Sequence, residues 1–126
     1  MLVVEDEAIT LELLVTTLAM KYRNIAIYKA INGRTGLELF KEHRPDIVLT
    51  DINMPEISGI QMAKKIFKIK QDTKFIVLTG DKGKLALEDS IGNQFKTDHC
   101  VDKPVDFLDL FAAIEQCLVE IKQQAL

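Results

Sequence analysis

Four short segments of the 126-residue chain carry side chains able to do chemistry together. Glu5-Asp6-Glu7 supplies acids near the N-terminus, and Asp51 follows an apolar run, IVLT. Thr79 ends a second apolar run, FIVLT, and Lys103 precedes Pro104. Carboxylates drawn from two segments to one place repel each other unless a cation joins them. Oxygen ligands that leave room for water suit Mg²⁺, which takes one or two carboxylates and keeps several waters. A divalent ion beside a carboxylate, an ammonium and a hydroxyl suits phosphoryl transfer. The cations neutralise phosphoryl oxygens, and the hydroxyl donates a hydrogen bond. A carboxylate can itself be the nucleophile and become an aspartyl phosphate. Wet loops place polar residues after strands in any protein. That accounts for each position singly, but less well for acids on two segments beside a hydroxyl and a lysine on two others.

For these segments to meet, the elements between them must bring four strand ends to one edge. Short β-rich apolar runs predict strands over 1–4, 25–30, 47–50, 75–79 and 99–101. Helical patterns predict helices over 8–21, 34–42, 59–68 and 84–91, and a last one from 107 to 121. Leu11, Leu14 and Leu18 form the inner face of the first helix. Phe107, Phe111, Ile114, Leu118 and Ile121 form that of the last. Asn32, Ser58 and Asp106 are the expected caps, and Glu7 is expected as an acid in the first turn of the first helix. The helix over 84–91 is the least secured, bracketed by Gly83 and Gly92 with little apolar content. Five alternating strand–helix units imply an α/β fold, a doubly wound parallel sheet with helices on both faces. The central strands are apolar on both faces, as a doubly covered sheet requires. In such a sheet ligands bind at the carboxyl edge, where the four segments fall.

Composition narrows the class. A chain of 14.2 kDa buries about two-thirds of its surface on folding, enough for one domain over 1–126 without staples. Net charge is −3, and the 16 basic residues form no long run, which argues against nucleic-acid binding. No apolar stretch approaches the ~18 residues of a membrane span. The apolar start ends at Val4, too short for a signal peptide. Cys100 and Cys117 are expected as reduced thiols in a cytoplasmic protein, Cys117 in the core. His99 and Cys100 are adjacent on a strand and so point to opposite faces, which argues against a metal site there.

Over essentially its whole length the chain resembles the receiver domain of two-component response regulators, in the CheY-like superfamily. The residues that carry this are LVVEDE at 2–7, DIVLTDINMPEISG at 46–59, FIVLTG at 75–80 and VDKP at 101–104. The resemblance implies a five-stranded sheet in flavodoxin-like order 2-1-3-4-5. It implies that Asp51 accepts a phosphoryl group from a phosphohistidine on a sensor histidine kinase or histidine phosphotransfer protein. Asp6 and Asp51 would bind Mg²⁺ (or Mn²⁺ in its place), with Glu5 at one remove and the backbone carbonyl of Asn53 as a further ligand. Thr79 and Lys103 would hold phosphoryl oxygens, and the Lys103–Pro104 peptide is often cis in relatives. The module would be a switch that catalyses its own phosphorylation and dephosphorylation, not an enzyme acting on other molecules. Its output would run through the face formed by the helix over 84–91, the last strand and the last helix, toward a partner or an output domain. Asn53 and Asp81, small and polar, imply comparatively fast self-dephosphorylation.

The sequence departs from the family pattern in three places. Glu5 stands where aspartate is commoner. Cys100 stands where an aromatic residue usually reports phosphorylation, so output is expected from loop and helix displacement rather than a side-chain swing. The chain also begins only four residues before Glu5. Two other readings fit these residues less well. A partner-binding module without phosphorylation has no need of Asp6, Asp51, Thr79 and Lys103 together. An aspartyl-nucleophile phosphatase wants a second aspartate at 53, where Asn53 stands, and a flavodoxin wants a Ser/Thr/Gly-rich phosphate loop where EDEAIT offers acids.

Overall fold

The computed structural model describes residues 1–80 and 99–124. The helix expected over 84–91, and Asp81, lie outside the described residues. The elements run β1 (Leu2–Val4), α1 (Ala8–Lys21), β2 (Tyr28–Ala30), α2 (Gly33–His43), β3 (Ile47–Asp51), α3 (Gly59–Ile69), β4 (Lys74–Thr79), β5 (His99–Asp102) and a C-terminal helix (Phe107–Gln124). The strands form one sheet in the order β2-β1-β3-β4-β5, with every pair parallel.

Alternation along the strands divides the buried side chains between two faces. Leu2, Val4, Val48, Phe75 and Val77 pack with Phe40 of α2 and Met62 and Ile66 of α3. Val3, Leu49, Ile76, Leu78 and Val101 pack with Leu11, Leu14 and Leu18 of α1 and with Leu110, Ile114 and Cys117 of the C-terminal helix. All five residues of β3 are buried, as a strand covered on both faces must be.

The expected caps are present. Asn32 accepts the Thr35 N–H at 2.8 Å, and Asp106 accepts the Leu108 N–H at 2.8 Å. Ser58 and Gln61 form a reciprocal capping box at the start of α3. Three expectations need correction. The edge strand β2 begins at Tyr28 rather than at 25, because β1 pairs over three residues only and Leu2 lies opposite Tyr28. Glu7 is the N-cap of α1, ahead of the first turn, and its side chain makes no capping bond. In the C-terminal helix, Leu110, Ala113, Ile114 and Cys117 are the buried residues. Phe107, Phe111, Leu118 and Ile121 are half-buried along one flank. The larger rings lie toward α1, where Phe111 meets the Tyr22 ring edge-on with centroids 6.2 Å apart.

Candidate functional site

The carboxyl ends of β1, β3, β4 and β5 gather the chemistry-bearing residues. Asp51 is the last residue of β3, in register with Leu78, so its backbone is fixed by a ladder on a central strand. Thr79 ends β4 in register with Asp102, and the Lys103 N–H donates to the Thr79 carbonyl at 2.8 Å. Glu5 follows β1, its N–H donating to Ala30 of β2 at 3.1 Å. The fold therefore places Glu5, Asp6, Asp51, Thr79 and Lys103 at one edge from four strands. Asn53 follows on the exposed loop after β3.

Glu5, Asp6 and Asp51 each offer a carboxylate oxygen within 4.8 Å of the others. Among the described residues this is the one group of three or more acids, histidines or cysteines so arranged. Glu5 and Asp51 are nearly sealed, at 2% and 6% exposure, while Asp6 is exposed. One Glu5 oxygen accepts the Asp6 N–H at 3.1 Å. Lys103 Nζ lies 2.6 Å from Asp51 Oδ2 and 3.6 Å from Glu5 Oε1. A single ammonium thus partly offsets two buried carboxylates. Burial, followed by the hydrogen bond and charge of Asp51, pushes the Glu5 carboxyl up to about 7. Burial alone pulls the Lys103 ammonium down, but its bond to Asp51 and the charges of Asp51 and Glu5 outweigh this and hold it above the ordinary value. An oxygen-rich, partly open set of acids with an unbalanced charge fits a hard divalent cation.

Thr79 is 1% exposed, and its hydroxyl has no hydrogen-bond partner among the described residues. Buried hydroxyls are nearly always bonded, so an orphan at a charged edge is notable. The Lys103–Pro104 peptide is cis.

The loop after Asp51 is shaped by its own backbone. Ile57 N–H donates to Pro55 O at 2.8 Å, a γ-turn centred on Glu56, whose φ of 65° is uncommon for a side-chain-bearing residue. Gly59 N–H donates to Ile52 O at 2.9 Å. A Cβ at Gly59 would stand 2.0 Å from the Asp51 carbonyl oxygen, so only glycine permits this approach. Sequence reasoning overlooked Thr50, which is buried and donates its hydroxyl to the Asp51 carbonyl at 2.9 Å. The signal was a threonine in an otherwise aliphatic run. It also did not foresee the Lys103–Glu5 contact.

A family model described as the response regulator receiver domain matches residues 1–115. The chain is 39% identical over 72 residues to the chemotaxis protein CheY of Thermotoga maritima, covering 57% of this chain and 60% of that protein. It is 29% identical over 126 residues to the cell cycle response regulator CtrA of Brucella ovis, covering 99% of this chain and 52% of that protein. The receiver domain of AraT, a response regulator from Geobacillus stearothermophilus, superimposes with a TM-score of 0.88 at 25% identity, covering 99% of this chain and 96% of that one. The chain spans less than two-thirds of the length of these curated relatives. A match over nearly the whole chain, on a sheet of the same order, shows that it belongs to the response regulator receiver domain family.

Proposed function

We propose that this receiver accepts a phosphoryl group on Asp51 from a phosphohistidine of a sensor histidine kinase or histidine phosphotransfer protein, in a metal-dependent reaction. The observation that carries the reading is the conjunction at one edge of a buried Asp51 bonded to Lys103, a cluster of three carboxylates and an orphaned Thr79 hydroxyl. The Asp51 carboxylate oxygen forms the new bond to phosphorus, and the donor imidazole leaves with the electron pair of the broken bond. Lys103 turns from Asp51 to a phosphoryl oxygen, which preserves a charged bond for its ammonium. Thr79 donates its hydroxyl to a second oxygen and gains a partner that it lacks among the described residues. Asp6 and Asp51, with Glu5 at one remove and the Asn53 carbonyl, would hold Mg²⁺ (or Mn²⁺). When bound, the ion supplies positive charge against the acids and the incoming phosphoryl oxygens. The setting proposed is the cytoplasm. Among the described residues no helix is long and apolar enough to cross a membrane.

The output is a switch rather than turnover of a separate substrate. Cys100 is exposed on β5 and has one χ angle, so no large side-chain swing at position 100 carries the signal. The relatives include chemotaxis and transcriptional regulatory proteins, so family membership alone assigns no output. The test is intact-mass measurement after incubation with a small-molecule phosphodonor. One acid-labile phosphoryl group should appear with Mg²⁺, vanish with a chelator and be absent in Asp51→Asn. Undiminished labelling in that variant would overturn the assignment.

A further inference from the structure

Strand β3 is aliphatic from Ile47 to Leu49 and then carries Thr50, which is fully buried. Thr50 is in register with Val4 of β1 and Val77 of β4, so packing alone would be served by valine. A hydroxyl sealed among apolar side chains is costly unless it is bonded. The bond of Thr50 runs forward along the chain, to the carbonyl of Asp51 at 2.9 Å. Alternation sends Thr50 to the face of the sheet that α3 covers, the face of Val48 and Ile52. Gly59, the first residue of α3, lies against the same carbonyl, because a Cβ there would stand 2.0 Å from it. The Asp51–Ile52 peptide is thus held between a hydroxyl and a helix start. The following peptide is held as well, since the Ile52 carbonyl accepts the Gly59 N–H at 2.9 Å. The next carbonyl, that of Asn53, accepts no backbone hydrogen bond among the described residues. Beyond it the loop is braced again at Ile57, whose carbonyl would stand 3.0 Å from a Cβ at Gly33, where α2 begins. Asn53 therefore lies on a loop pinned at both ends.

We propose that Thr50 is a positioning residue for the metal site. Its hydroxyl fixes the peptide after Asp51, and so sets where the Asn53 carbonyl stands relative to the carboxylates of Glu5, Asp6 and Asp51. The proposal rests on the metal-dependent reading above and adds to it a residue that touches neither the ion nor a phosphoryl group. Mg²⁺ demands a near-ideal octahedron of ligands at short distances, so a small error in one carbonyl weakens binding. A loop held in place before the ion arrives spares the ordering that a free loop would need on binding. Residues that orient metal ligands are worth about 10- to 100-fold in affinity.

Titration calorimetry with Mg²⁺ on the whole chain tests this without any phosphodonor. Thr50→Val keeps the shape and removes the donor, and affinity should fall about tenfold. Thr50→Ser keeps the donor and loses a buried methyl. It should unfold more easily and yet bind Mg²⁺ nearly as tightly as the original protein. Thr50→Ala differs from Thr50→Ser only by the hydroxyl oxygen, and gives the same comparison if valine is not accommodated. The expected result is affinity that follows the hydroxyl while stability follows the methyl. A purely structural Thr50 would make affinity follow stability instead. Amide exchange in the metal-free protein gives a second readout. Loss of the hydroxyl should speed exchange of the Gly59 N–H, whose acceptor is the Ile52 carbonyl. Undiminished Mg²⁺ affinity in Thr50→Val and Thr50→Ala, or Thr50→Ser as weak as either, overturns the proposal and leaves the metal reading standing. Unchanged Gly59 exchange does the same. No Mg²⁺ binding by the original protein overturns the metal reading and this proposal with it.

Discussion

At the scale of single residues, the site carries tension that a ligand would relieve. Thr79 keeps a sealed hydroxyl without a partner among the described residues, a feature that costs stability on its own. Thr79→Val keeps the shape and removes the orphan. We expect thermal or denaturant unfolding to show stability unchanged or raised by about 1 kcal/mol, while phosphoryl labelling of Asp51 slows. Lower stability together with intact labelling would mean that the hydroxyl serves the fold. Glu5 gives a pH prediction. Its carboxyl is pushed up to about 7, first by burial and then by Asp51. A proton on Glu5 competes with a cation, so Mg²⁺ affinity measured by titration calorimetry should rise as pH climbs through about 7. Glu5→Gln should flatten that rise. In the metal-free protein the sign for stability is opposite. The folded state holds a proton that the unfolded chain releases near 4.5, so stability should fall from pH 4.5 to about 7.

At the scale of elements, the loop between β3 and α3 sets where Asp51 stands. Gly59 begins α3 against the Asp51 carbonyl, and the Ser58–Gln61 capping box fixes the direction in which the helix leaves. A methyl at 59 would overlap backbone rather than a yielding side chain, so strand end and helix start must part. Gly59→Ala should cost roughly 2–4 kcal/mol in denaturant unfolding and reduce phosphoryl acceptance beyond what lost fold accounts for. A cost below about 1 kcal/mol would show that the loop relaxes freely. The pattern of expectation and outcome has the same origin. Runs such as IVLT and FIVLT were legible because both their faces are buried, and the caps Asn32, Ser58 and Asp106 because capping depends on neighbours in sequence. The edge strand β2 was overrun because its length is set by β1 and not by its own β-propensity. In the C-terminal helix Ile114 and Cys117 were legible as core, while Leu110 and Ala113 are buried in place of Phe107, Phe111, Leu118 and Ile121, which are half-buried.

At the scale of the molecule, parallel topology turns four distant segments into one site. Lys103 and Asp51 are 52 residues apart and meet at 2.6 Å because β5 and β3 flank β4. Local rules do not give that contact. The gathering of both residues at one edge was legible through the rule that parallel sheets bind at their carboxyl edge, and through the family motifs, but their direct contact was not. The orphaned Thr79 hydroxyl and the Glu5–Lys103 contact required coordinates, since each depends on side-chain placement between strands. The most direct measurement is a structure of the protein bound to a small fluoride analogue of phosphate with Mg²⁺. It should show the analogue on an Asp51 oxygen, Lys103 Nζ moved from Asp51 onto the analogue, the Thr79 hydroxyl bonded to it, and Cys100 in its original rotamer. An analogue held elsewhere, or one on Asp51 with Thr79 still unpartnered, would contradict the account.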